Sequence, residues 1–409
     1  MKKKIGISIM TVSVILICFA GTAFLMARKS GIHQTSIGTE KIAALEWGFK
    51  FASAIPVTPH LVDRSHSQYL ILEAYLDRDM PDQAAEHASR IADWRECLSY
   101  ADLAVYFAQK KHDKKVSDYS KRARVCADRL IDWETSWQRD RVLLRITEAQ
   151  AIVGQSWAAE KTEAQLPVES AVQARTLRLS RMDSPDDYKK KIDRLKSIEN
   201  SENMEVRRDV ARAYIAILMQ LGPAVTDKQI VTLQTRVYKL AETLPQLMQH
   251  EILCSLSRTA FSVGQEGRGR DVLEYAEKQL KRRELKARFD VKTLVTLAEI
   301  WDEKAGDSQH AQSLLDEAKD LFMKGRLKGT DQVRALISLA QGYGIHGDHE
   351  AAWYFFRQAI QIAGLQVNAR PRAMNLTEIC AAIGQWSVPW PDDIEKEMIR
   401  LYEALGDPW

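Results

Sequence analysis

The chain has 409 residues, of which 45% are apolar and 28% charged, so it is globular and long enough for several domains or one extended repeat array. Gly and Pro together number 30, which suits continuous helix and excludes a loop-rich or disulfide-dense scaffold. The formal charge of +3 is an end effect: residues 1–29 hold five of the 58 bases and none of the 55 acids, leaving 53 bases against 55 acids. A near-neutral body argues against nucleic-acid binding, which needs a basic field on the folded part.

The amino terminus sets the compartment. Ile5 to Ala27 runs without a charge, and as a helix this stretch spans roughly 34 Å, enough for a hydrocarbon core of about 30 Å. Lys2, Lys3 and Lys4 hold the short leading tail in the cytoplasm, so everything beyond Arg28 is expected on the exported side. The stretch exceeds an ordinary signal-peptide core and reads as an uncleaved signal anchor over residues 1–29. A signal peptide cut after Ala23 or Ala27 is the alternative. Bulky Ile17 argues against lipidation of Cys18. Residues 30–40 are polar, without sustained periodicity, and read as a short stalk.

From residue 41 to residue 409 the apolar pattern is helical almost without interruption. After an amphipathic stretch over 41–55, hairpins of roughly forty residues follow. Their helices are expected near 66–78/81–95, 97–109/113–131, 139–154/156–165, 168–182/185–199, 204–221/226–243, 246–265/267–283, 289–305/307–325, 330–344/348–364 and 370–385/391–405. Ser184–Pro185–Asp186 has the form of a helix start. Asp113, Asp307 and Asp348 stand where second helices begin and can accept free backbone N–H groups. Gly222–Pro223 and Gly364 mark ends. Lys281, Arg282 and Arg283 sit where cations suit a helix dipole, so that basic run reads as a solvated face.

One unit is written repeatedly. Leu339–Ala340 is followed by Tyr343, the Gly347–Asp348 break, Ala352, Phe356 and Ala359; Leu103–Ala104 is followed by Phe107, the His112–Asp113 break and Ala123. Ala298, Trp301, Ala311 and Ala318 give a third copy, shifted by one residue in the second helix. Small residues at fixed offsets let two helix axes approach closely while an aromatic fills the gap beside them. These units resemble the tetratricopeptide repeat (TPR), best over residues 289–364, although Ala298 to Ala340 is about 42 residues and the family's unit is shorter.

The resemblance implies an all-α, right-handed solenoid of about nine stacked hairpins, acting as a protein–protein scaffold with a concave binding face. Trp301 and Tyr343 are the candidate groove residues. A carboxylate clamp known in one branch of the family is not carried over, since the four Asn (Asn200, Asn203, Asn368, Asn375) fall at other positions. Trp386, Trp390 and Trp409 cluster in a Pro-rich end that reads as a capping hairpin, with an exposed docking patch as the rival.

In the hairpin that turns near residue 111, Cys97 and Cys126 fall at the same level, so a disulfide is geometrically open to them in an oxidising compartment. His250–Glu251 begins like a zinc-protease helix, but Cys254 stands where the second His belongs. His346 and His349 bracket a turn. Phosphate loops, nucleophile elbows and Cys-x-x-Cys pairs are all missing from the sequence. The expectation is therefore a non-catalytic, membrane-anchored scaffold for other cell-envelope proteins. It needs no cofactor, metal or small-molecule substrate, and binds no nucleic acid. A soluble exported binding protein is the alternative; an enzyme on a helical array, with paired carboxylates facing one cavity, is the more distant one.

Overall fold

The computed structural model describes residues 37–130, 136–181, 187–222, 225–386 and 390–409. The expected membrane segment, most of the stalk and the Ser184–Pro185–Asp186 start lie outside the described residues. Among those described, all regular structure is helical, with no strand.

The helices are α1 (Ile37–Ala54), α2 (Val57–Asp77), α3 (Pro81–Ala88), α4 (Arg95–Gln109), α5 (Asp113–Ala127), α6 (Ser136–Ile152), α7 (Ser156–Glu163), α8 (Val168–Leu179) and α9 (Asp187–Lys196). The second half continues with α10 (Met204–Leu221), α11 (Asp227–Ala241), α12 (Gln246–Ser262), α13 (Glu266–Lys281), α14 (Ala287–Glu303), α15 (Ser308–Gly325), α16 (Gly329–Ile345), α17 (His349–Gly364), α18 (Ala369–Gln385) and α19 (Asp392–Glu403). The main differences from the expected boundaries lie near the amino terminus: α1 begins at Ile37, inside the expected stalk, α2 begins at Val57, with non-helical backbone at Thr58 and His60, and α3, expected to reach residue 95, ends at Ala88.

Local chemistry sets the helix starts. Asp307 and Asp348 each accept a backbone N–H from three residues on, at 3.0 Å, and Thr226 with Gln229 forms a reciprocal capping box. Asp113 is instead the first helical residue and makes no such bond. The repeated small residues are buried between paired helices: Ala340, Ala352 and Ala359 are fully enclosed, as are Ala104 and Ala123. Cys97 of α4 and Cys126 of α5 are joined by a disulfide, their Cα atoms 5.2 Å apart.

Even-numbered helices from α2 to α18 contact one another in succession, each with its odd-numbered follower on one side from α2/α3 to α16/α17. The succession does not stop at α18. That helix packs directly on α2, and α1 packs antiparallel on both, so the order of contacts returns to its start. The seam is specific. Thr377 donates to the Gly48 carbonyl at 3.3 Å, Arg370 pairs with Asp63 at 3.1 Å, and Gln385 donates to Asp77 at 2.8 Å. Tyr75 and His87 both reach Glu46, at 2.7 and 3.1 Å.

Two glycines make this approach possible. A Cβ on Gly48 would lie 2.9 Å from the Cys380 Cβ and would overlap the Ile71 side chain; a Cβ on Gly384 would lie 2.6 Å from Leu45 Cγ. α19 lies over the outside of the seam: Arg357 of α17 pairs with Asp393 at 2.9 Å, and the Tyr402 ring meets Trp47 and Phe51 of α1, each at 5.7 Å between centroids.

Gly48→Val is therefore expected to destabilise the fold by about 1–3 kcal/mol through overpacking. Gly267→Ala, with nothing near its added Cβ, serves as the control. Thermal unfolding of the two variants checks this, with an unshifted Gly48→Val midpoint as the adverse result. Cys97→Ser frees a link across 29 residues and is expected to cost about 3.6 kcal/mol on the loop-entropy account, read as a lowered denaturant midpoint under non-reducing conditions.

Candidate functional site

The successive first helices α12, α14, α16 and α18 present one continuous face. Residues at helical spacing along α14 line it: Phe289, Lys292, Thr296 and Glu299. Two cavities open there. One of about 430 Å³ lies between α12 and α14, walled by Leu247, His250, Cys254, Arg258, Phe289 and Thr293 among others. The second, of about 300 Å³, is walled by Val295, Ser338, Gln341, Ile345, Ala382, Gln385 and Trp386. Lys292 and Thr296 belong to both walls, so the two form a single groove. At its mouth Leu247 and Phe289 stand 54% and 43% exposed, large apolar side chains held out of the core.

The groove carries balanced charge. Arg258 of α12 pairs with Glu299 of α14 at 3.0 Å, and Arg212 of α10 pairs with Glu251 of α12. The same arrangement recurs round the molecule: Arg145 of α6 holds Asp102 of α4 at 2.6 Å, Arg288 of α14 holds Asp331 of α16 at 3.1 Å, and Arg334 of α16 holds Glu378 of α18 at 2.6 Å. Tyr69 of α2 adds a hydrogen bond to Asp102 at 2.5 Å. The arginines and the acids they meet on neighbouring first helices lie 39 to 44 residues apart, about the repeat length. Lys292 alone among the groove's cations has no ion pair among the described residues.

Burial shifts several groups. It raises the Glu299 carboxyl despite Arg258, and raises Asp209 of α10 to about 6 against the pull of Arg208 and Arg212. It also pushes the Cys254 thiol up to about 12, so this cysteine is a buried wall rather than a nucleophile.

Trp301 and Tyr343 do not line the groove. Trp301 is buried against α15, its ring 4.7 Å from that of His310. Tyr343 is buried against α15 and α17, stacked on Phe355 and donating to Asp316 at 3.2 Å. An aromatic three residues after the small pair points toward the second helices, not toward the concave face. Trp386 and Trp390 are also buried, and the Trp386 ring lies 5.1 Å from Trp353. His346 pairs with Asp302 at 3.2 Å, while His349 meets the Trp386 ring. Among the described residues no group of three or more His, Cys, Asp or Glu is placed to hold a metal ion.

The groove residues Leu247, Phe289 and Lys292 escaped the sequence reading. Their signal was present as a stripe on the face opposite the small residues, repeated in α12 and α14. No protein-family model matches the chain, nor does any curated protein sequence.

Asp209 gives the fold a pH dependence of known sign. A carboxyl whose folded pKa lies above its unfolded value binds its proton more tightly in the native state, so stability falls as pH rises from about 4 to about 6. The melting temperature of Asp209→Asn relative to the parent should therefore rise across that window and level off above it. A difference that is flat or falls with pH contradicts the assignment.

Proposed function

We propose that the protein is a membrane-anchored, TPR-like right-handed helical array, closed by its own first helix, that holds a segment of another cell-envelope protein along α12–α18 without catalysis of its own. The observation that carries this reading is the groove built from consecutive first helices, with Leu247 and Phe289 exposed at its mouth. Large apolar side chains kept half in water beside a polar trough are what a docked segment covers, and they supply most of its affinity. The paired charges along the groove leave Lys292 free to set the register of an acidic group on the partner.

The anchor is assigned to residues 5–27. No helix among the described residues is long and apolar enough to cross a membrane. Nine residues separate Ala27 from the start of α1, a tether of at most roughly 32 Å when extended. The Cys97–Cys126 disulfide fits an exported body.

A photo-crosslinking amino acid at Phe289 in the full chain, in intact cells, is expected to trap one defined partner protein. The same probe at Tyr354, an exposed residue of a second helix, should not. Leu247→Asp should cut the Phe289 adduct by roughly tenfold or more, the loss of one apolar anchor. Equal labelling from both positions, or an adduct indifferent to Leu247→Asp, would sink the groove as the docking face.

A further inference from the structure

Away from the groove, α7, α8 and α9 enclose a cavity of about 520 Å³ whose walls are strongly cationic. Arg175, Arg178, Arg181, Lys190, Lys191 and Arg194 line it, against the acids Glu160 and Asp187. Among the described side chains of residues 155–200, nine bases and five acids, the wall gathers six of the bases and two of the acids.

Arg175 and Arg178 are partly neutralised by Glu163, and Arg178 also pairs with Glu160 at 2.7 Å. Among the described residues Arg181, Lys190 and Arg194 form no ion pair, and the Arg181 Nε has no hydrogen-bond partner. Bringing unpaired cations together is unfavourable unless an anion answers them.

Two exposed apolar side chains stand near this cavity. A shallower hollow shares the walls Glu160, Arg175 and Arg178 and includes Val168, which is 77% exposed. Trp157, between the lining residues Ser156 and Glu160 on α7, is 74% exposed, with the Lys161 ammonium 5.3 Å from its ring. An exposed Trp and Val beside a cationic pit match a bilayer interface, where an indole sits at headgroup depth and cations meet lipid phosphates. A small soluble anion would use the pit but leave Trp157 and Val168 bare.

We infer that the α7–α9 face is a peripheral docking site for an anionic lipid surface, with a phosphate-bearing headgroup in the cavity and Trp157 and Val168 at the interface. The site is separate from the groove and from the anchor, and it holds whether or not the groove takes a partner.

The test uses the full chain carried in phosphatidylcholine nanodiscs, so that any amino-terminal insertion is identical in every arm. These are mixed with separate vesicles of phosphatidylcholine alone or with phosphatidylglycerol added, and capture is read by co-flotation. Capture by the anionic vesicles only is expected. It should fall roughly fivefold for each cation removed in the series Arg181→Gln, Lys190→Gln, Arg194→Gln, and should fall again with Trp157→Ser. Unchanged thermal unfolding of these surface variants confirms that they fold. Equal capture by neutral vesicles, or parent-like capture of the triple variant, overturns the site. Inorganic phosphate abolishing capture at unchanged ionic strength overturns the lipid assignment in favour of a free-phosphate site.

Discussion

A helical hairpin with an apolar edge needs cover on both sides, so an array of such hairpins has two ends at which that edge meets water. Here both ends are covered by one contact. In each hairpin from α4/α5 to α16/α17 a second helix lies antiparallel against its own first helix and also touches the next. α1 does the same for α18 and α2, although it comes from the opposite end of the chain. It occupies the place that α19 would otherwise take, and α19 is displaced outward, over α17 and α1. The geometry needs two backbones closer than side chains allow, and Gly48 and Gly384 supply it. A glycine inside an exposed helix costs about 1 kcal/mol relative to alanine; at these two positions any larger residue collides.

Electrostatics follow the same circular order. Isolated surface ion pairs contribute little, on the order of 0–1 kcal/mol each. Their placement here matters more than their sum. An Arg on one first helix repeatedly meets an acid on a neighbouring one, and Arg370 to Asp63 continues the series across the seam. A slip of one turn between neighbours would separate these partners and bring like charges together, so the pairs oppose misregister even where they add little stability. A body of 53 bases and 55 acids is what such pairing consumes.

The helices were legible because their signals are local. Apolar spacing, acid caps such as Asp307 and breaks such as Gly347–Asp348 lie within a few residues of what they determine. The hairpin was legible because its small residues recur at a fixed offset. The seam was not, since residues more than 300 positions apart leave no periodic trace. Only the isolated Gly48 and Gly384, set in otherwise continuous helical pattern, hinted at a close neighbour. The groove's lining residues were illegible for a different reason. Trp301 and Tyr343 are the conspicuous aromatics of the best-formed repeats, but the position they share faces the second helices. The concave face belongs to the stripe of Phe289, Lys292, Thr296 and Glu299, whose mixed chemistry resembles any solvated helix face until neighbouring helices are set beside it.

Seam and groove are mechanically one object. The far wall of the groove is Ala382 and Gln385 of α18 with Trp386 just past its end, and that helix is gripped from behind by α1. Gln385 is bonded to Asp77 while it lines the cavity, and its neighbour Gly384 is the point of closest approach to Leu45. An open helical array can change curvature along its length and so widen or narrow its concave face at small cost. A circular order of contacts removes that freedom, because moving α18 away from α16 must also move it against α1 and α2. The groove is thus held near one width by a contact on its outer side. Under the proposed docking role, a segment that fits would pay little to organise the site, while one too bulky would have to break the seam to enter. On the proposed docking role, selectivity would then rest as much on Gly48 and Gly384, which lie behind the groove, as on the residues lining it.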